Sequence, residues 1–166
     1  DTGPRAGWAS ICDENTLRPL IARELEVASR EAYTVDQEAV TADGKETDIR
    51  LRAVSGYQAT IELKVGEKSR SARDLCDTID DQLVKKYMAH REARTGCLVV
   101  TVANPEKYWH HPDTGARIDQ AGLQRLLQER ADAAQERLGG EARVLARVLD
   151  LVPRLSTEKA AAVGSR

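Results

Sequence analysis

A mixed α/β sandwich, with helices covering a central sheet, is the fold class this sequence predicts. Three observations predict it. Stretches of helical period, Leu17 to Ala28 and Ile118 to Leu138, are interspersed with the strand-like runs. Two of those runs, Thr47 to Val54 and Ala59 to Val65, alternate apolar and polar residues with period two. A third, Cys97 to Ala103, is almost unbroken apolar sequence, as expected of a central strand covered on both faces. The chain has 166 residues, 41% of them hydrophobic, enough for one domain with a sizeable core.

Taken in order, the first residues, with Gly3, Pro4 and Gly7, read as a loose lead-in. Asp13 or Asn15 then caps a helix to about Arg30, whose stripe holds Leu17, Leu20, Ile21, Leu25, Val27 and Ala28, with the acid Glu24 among them. Ala32 to Thr41 is the weakest strand, and Asp43-Gly44 turns the chain after it. In Thr47 to Val54, Ile49, Leu51 and Ala53 share one face while Asp48, Arg50 and Arg52 share the other. Ser55-Gly56 turns again, and in the next strand Glu62 and Lys64 lie opposite Ile61, Leu63 and Val65. A helix is expected over Ser71 to about Arg94, with Leu75, Ile79, Leu83 and Met88 buried and Gln82 and Tyr87 near the edge. After the apolar strand, Asn104 to Gly115 reads as a loop and Ile118 to Leu138 as a helix stopped by Gly139-Gly140. Ala142 to Val152 is the last strand, closed by Pro153. The expected division is a flexible lead-in over 1–12, one domain over 13–155 and a flexible tail over 156–166.

Composition narrows the function. Lys and Arg number 25 against 27 Asp and Glu, a formal charge of -2, so nucleic acid is not bound by bulk charge and any such contact needs a local patch. There is no Phe, which leaves the core to aliphatic side chains. Cys12, Cys76 and Cys97 are far apart, with no CxxC pair and no zinc-like spacing to the three His, which reads as a reduced, cytoplasmic protein. No signal peptide is visible, and the longest apolar run is too short to span a bilayer, so no membrane partner is expected. A chain opening on Asp1 reads as a piece of a longer protein. There is no Walker loop and no GxGxxG, which argues against ATP hydrolysis or nicotinamide chemistry.

The informative constellation is Asp48 followed by Glu62 and Lys64. Strand parity puts Glu62 and Lys64 on one face, about 7 Å apart along the strand, and a hairpin brings Asp48 toward the same spot. Two carboxylates so placed repel unless a cation neutralises them. Their hard oxygens suit Mg²⁺, with Mn²⁺ as a substitute, and leave room for a phosphate oxygen. Lys64 beside them is placed to act on the attacking water or on charge developing at phosphorus. The plainer alternative is a solvated Glu-x-Lys ion pair on a sheet surface.

The series Glu24, Asp48, Glu62-Leu63-Lys64 and Gln82 with Tyr87 resembles the PD-(D/E)xK superfamily of restriction-endonuclease-like nucleases. The resemblance spans about Leu17 to Val102 and departs at Thr47, where the family name has Pro. It implies a three-layer sandwich with a central mixed sheet, and metal-dependent, endonuclease-type hydrolysis of nucleic acid, DNA favoured over RNA. It assigns the metal to Asp48, Glu62 and the main-chain carbonyl of Leu63, the water to Lys64, and supporting roles to Glu24 and Gln82. A homodimer and further domains of a larger bacterial protein, in defence or repair, are expected by the same analogy.

From Lys64 to Arg94, eight basic residues stand against six acidic ones, whereas residues 1 to 45 carry five against nine. Lys68, Arg70, Arg73 and Lys86 are the expected backbone-contacting residues. Tyr108-Trp109-His110-His111-Pro112 reads first as a surface loop and second as aromatics stacked over a base. The alternative to the enzyme is a noncatalytic module of the same fold that binds nucleic acid or protein.

Overall fold

Asp13, not Asn15, caps the first helix: its carboxylate accepts the Thr16 N–H at 2.7 Å and opens α1 (Glu14–Ser29). The computed structural model describes residues 7–40, 46–88, 92–140 and 142–152. Two consecutive left-handed residues, Arg30 and Glu31 (φ 46° and 66°), turn the chain from α1 into β1 (Tyr33–Val40). Next come β2 (Glu46–Ala53) and β3 (Gln58–Val65), then α2 (Ala72–Thr78), β4 (Thr95–Val102), a two-residue pair β5 (Trp109–His110) and β6 (Arg117–Ile118), α3 (Gln120–Leu138) and β7 (Arg143–Asp150).

The five long strands form one mixed sheet in the order β1-β2-β3-β4-β7. The first three are antiparallel neighbours, while β4 runs parallel to both β3 and β7. Strand parity divides the core between the two faces. On one, Ile49, Ile61, Leu63, Val65 and Val99 pack against Leu17, Ile21 and Ala22 of α1. On the other, Leu98, Val100, Val102, Val144 and Ala146 pack against α2, the turn that follows it, and Leu123, Leu127, Ala131 and Ala134 of α3. With no Phe, the largest fully buried side chains are all Leu, Ile or Val, each contributing about 1.5–3 kcal/mol by burial. The result is an α/β sandwich with a mixed sheet between helices.

Three expectations change. The long helix over 71–94 is shorter and wider: α2 passes into a π-helical segment (Ile79–Tyr87) that closes with Met88 N–H donating to the Leu83 carbonyl at 2.9 Å, five residues back. That wider winding buries both Tyr87 and Met88. The 104–115 loop contains the first half of a small hairpin, since His110 pairs with Arg117 and Trp109 with Ile118. The expected loose lead-in is partly packed: Trp8 and Ile11 lie against the α1-side core. Residues 1–6 and the tail over 156–166 lie outside the described residues.

Candidate active site

The site begins where a ladder stops. The β2–β3 register runs from Arg52↔Gln58 to Ile49↔Ile61 and goes no further. The next β3 residue facing that edge, Leu63, must find another partner for its N–H. Asp48 Oδ2 accepts it at 2.8 Å. One step on, the Val65 N–H is accepted by Glu14 Oε1 at 3.3 Å. Side-chain carboxylates therefore stand where a strand's carbonyls would be. Leu63, lying past the ladder, also presents its carbonyl to this unpaired edge.

On the sheet face toward the π-helical segment, Glu62 and Lys64 point together, 5% and 6% exposed. The Lys64 Nζ donates to Glu62 Oε1, and the Tyr87 hydroxyl donates to Glu62 Oε2 at 3.0 Å. Burial pushes the Glu62 carboxyl above the usual carboxylate range, and the nearby Asp48 charge pushes it further. The Lys64 ammonium and the Tyr87 hydroxyl act against that shift without cancelling it. Tyr87 is raised in turn, by burial first and then by the Glu62 carboxylate. Asp48 Oδ1 faces Arg18 Nε of α1 at 3.5 Å.

Glu14 behaves oppositely. Burial acts to raise its pKa, but the Val65 N–H and the charges of Lys64, Arg70 and Lys68 outweigh it and hold the carboxyl below its ordinary value. Arg70 Nη2 sits 3.3 Å from Glu14 Oε1, and Lys68 Nζ 3.5 Å from Oε2.

The structure brings Asp48, Glu62 and Lys64 to one edge of β3, with Lys68 and Arg70 beside them on Glu14. Lys86 is drawn to Tyr87, donating to its hydroxyl at 3.1 Å and lying 4.8 Å from its ring centroid. Arg73 is diverted: its Nη2 donates to the Pro112 carbonyl at 2.7 Å. Gln82 lies half-buried on the π-helical segment and takes no part in the carboxylate hydrogen bonds. Glu24 is a correction. It is exposed, as is Val27 at 73%, expected on the same stripe, while Leu25 of that turn packs against the α1-side core. The acid that α1 delivers to the site is Glu14, in its first turn, together with Arg18. Helical periodicity misses Glu14 because it sits before the first apolar residue of the stripe; its place just after the capping Asp13 is the available signal.

A scan against protein-family models gives no match, and a search of curated proteins gives none. Among solved structures the chain is similar to a protein of unknown function from Silicibacter pomeroyi, at 19% identity and a TM-score of 0.33, covering 71% of this chain and 83% of that one. So distant a likeness carries no argument about the site, which is read from its own chemistry. Among the described residues no helix is long and apolar enough to cross a membrane.

The donor set has the chemistry a divalent cation takes: Asp48, Glu62 and the Leu63 carbonyl are hard oxygens, and Asp48 accepts the N–H of Leu63, the residue next to Glu62. Among the described residues no three His, Cys, Asp or Glu side chains form a metal cage. A cation here would take two carboxylates and complete its shell with water and substrate oxygen, the habit of Mg²⁺.

Proposed function

We propose that the chain is a metal-assisted phosphodiesterase of the restriction-endonuclease-like, PD-(D/E)xK type, cutting nucleic acid, with DNA favoured over RNA. One observation carries the reading: Asp48, Glu62 and Lys64, from two strands, converge where the β2–β3 ladder opens. The three-layer arrangement with a mixed sheet supports the corresponding fold.

Asp48 and Glu62, with the Leu63 carbonyl, would hold Mg²⁺ or Mn²⁺, which supplies Lewis-acid polarisation of the phosphate and a more acidic water. Lys64 is held by Glu62 with its ammonium in the site, placed to orient the attacking water and to offset charge gathering on the phosphate oxygens. Tyr87 fixes the second Glu62 oxygen. Lys68 and Arg70, loosely paired to Glu14 at the rim, supply positive charge for the flanking backbone phosphates. Gln82 keeps at most a supporting place, and Glu24 has none. Self-association and further domains of a larger bacterial protein belong to the same proposal.

The test is cleavage of plasmid and oligonucleotides with Mg²⁺, with EDTA, and by Lys64→Ala. Cleavage should require both the cation and Lys64, and activity that survives loss of both overturns the mechanism.

A second reading, a noncatalytic binding module, is favoured by a different fact: both Glu62 oxygens accept hydrogen bonds from protein groups, Lys64 and Tyr87. Calorimetric titration with Mn²⁺ separates the two. The nuclease reading requires binding that Glu62→Ala abolishes, and the module shows no difference between the proteins.

A further inference from the structure

Beyond the carboxylates, the segment after β4 folds back on the end of β3 and is held there by several contacts. Glu67, three residues past Lys64, accepts the Ala103 N–H at 2.6 Å and the Asn104 N–H at 3.0 Å through one oxygen. Trp109, 3% exposed, packs against Gly66, the residue that follows β3. Arg73 of α2 holds the Pro112 carbonyl. Within the hairpin, the His111 N–H donates to the Ala116 carbonyl at 2.8 Å, the Gly115 N–H to the His111 carbonyl at 2.9 Å, and His110 Nδ1 lies 3.1 Å from the Gly115 carbonyl.

With Trp109 turned inward, strand parity turns Tyr108 and His110 outward. Tyr108 is 46% exposed. Its ring meets the His110 ring edge-on, centroids 5.6 Å apart. Arg117, paired with His110 across the hairpin, sets its guanidinium 4.0 Å from the Tyr108 ring centroid. An exposed Tyr, imidazole and guanidinium thus form one cluster on an arm anchored through residues 66 and 67 to the strand that bears Glu62 and Lys64.

We propose that Tyr108, His110 and Arg117 form a stacking platform for an unpaired nucleobase, which makes single-stranded or frayed nucleic acid the preferred ligand. The inference rests on the nuclease reading above. An aromatic face and a guanidinium plane take any base by stacking, whereas a duplex keeps its bases stacked on each other and offers mainly phosphates. The arm is already ordered, so stacking costs little loop entropy. Arg117 adds a positive charge for the phosphate next to the stacked base.

The experiment is fluorescence anisotropy in EDTA, so that nothing is cut, with labelled oligonucleotides of about twelve nucleotides, single-stranded or as blunt duplex. The proteins are wild type, Tyr108→Ala, Tyr108→Phe and Arg117→Ala. All the altered side chains are exposed, and circular dichroism checks folding. Tyr108→Ala should weaken single-strand binding about tenfold, the size expected for one lost stack, with Tyr108→Phe restoring it and duplex binding unchanged. If Tyr108→Ala leaves single-strand binding intact, or weakens both forms equally, while the wild type still binds and cuts in Mg²⁺, the platform is wrong and the nuclease reading stands. A wild type that binds neither form overturns the platform, and cleavage in Mg²⁺ then decides the nuclease reading separately.

Discussion

Glu14 and Asp48, on different elements, accept neighbouring outward N–H groups of one strand: Glu14 Oε1 takes Val65 N–H and Asp48 Oδ2 takes Leu63 N–H. Past the end of the β2–β3 ladder this edge of β3 is capped by charge, while β4 pairs along the other edge. On the proposed reading, a phosphate and a cation would enter there.

The Glu14 cap predicts an acid-sensitive contribution. Because its carboxyl is held below the ordinary value, the stability it confers is present above that ordinary pKa and is lost as pH falls through the lowered one. Glu14→Gln keeps an oxygen for Val65 N–H but loses the charge beside Lys68 and Arg70. Screening by solvent limits the expected cost near neutrality to about 1 kcal/mol or less. Urea unfolding near pH 7 and near pH 3 should show that difference closing in acid, and a constant difference would refute the assignment.

Period-two alternation was enough to place Glu62 and Lys64 together and opposite Leu63, because a strand has only two faces. It also placed Asp48 correctly on its strand, since Ile49 faces α1. Helical periodicity failed for the first-helix acid because it ranks positions around an axis, not along it. Glu24 and Glu14 lie about 15 Å apart along α1, and it is the first turn that puts a carboxylate on the Val65 N–H. Tyr87 reads as an edge residue because α-helical spacing does not anticipate the π-helical winding that buries it. The hairpin is not legible because two-residue strands carry no alternation to read.

Tyr87→Phe removes a hydroxyl that favours ionised Glu62. Glu62 has a raised pKa, so its contribution to stability is full below the ordinary carboxylate value and is lost as pH rises through the raised one. Holding a cation needs the ionised form. Protons compete with the cation for Glu62, so Mn²⁺ affinity should weaken in acid, and Tyr87→Phe should move the onset of that weakening to higher pH. Calorimetric Mn²⁺ titrations across pH for the two proteins check it, and an unmoved onset would separate Tyr87 from Glu62.

Lys64 and Glu62 form a buried ion pair. Lys64→Met leaves the Glu62 charge buried without its ammonium, at a cost of about 3–5 kcal/mol. Removing both charges, with Glu62→Gln and Lys64→Met, should recover much of that stability while leaving cleavage abolished. Urea midpoints and cleavage assays on the single and double variants decide it. A double variant less stable than the single one would mean that the pair itself stabilises the fold.

Gly66 links the site to the arm, and its importance is steric. A Cβ there would lie 2.8 Å from the Thr101 carbonyl oxygen, 3.0 Å from Val102 Cγ2 and 3.3 Å from Trp109 Cζ2. The first contact is with backbone already committed to β4, and the Gly66 N–H donates to that same carbonyl at 2.8 Å. It cannot move aside without loosening the β3–β4 junction. Gly66→Ala should thus cost about 1–3 kcal/mol, the range for overpacking a filled interior, and should shift the Trp109 fluorescence as the arm is displaced. In a Trp8→Phe background, where Trp109 is the remaining indole, unchanged emission and an unchanged melting temperature would show that the arm does not bear on the end of β3.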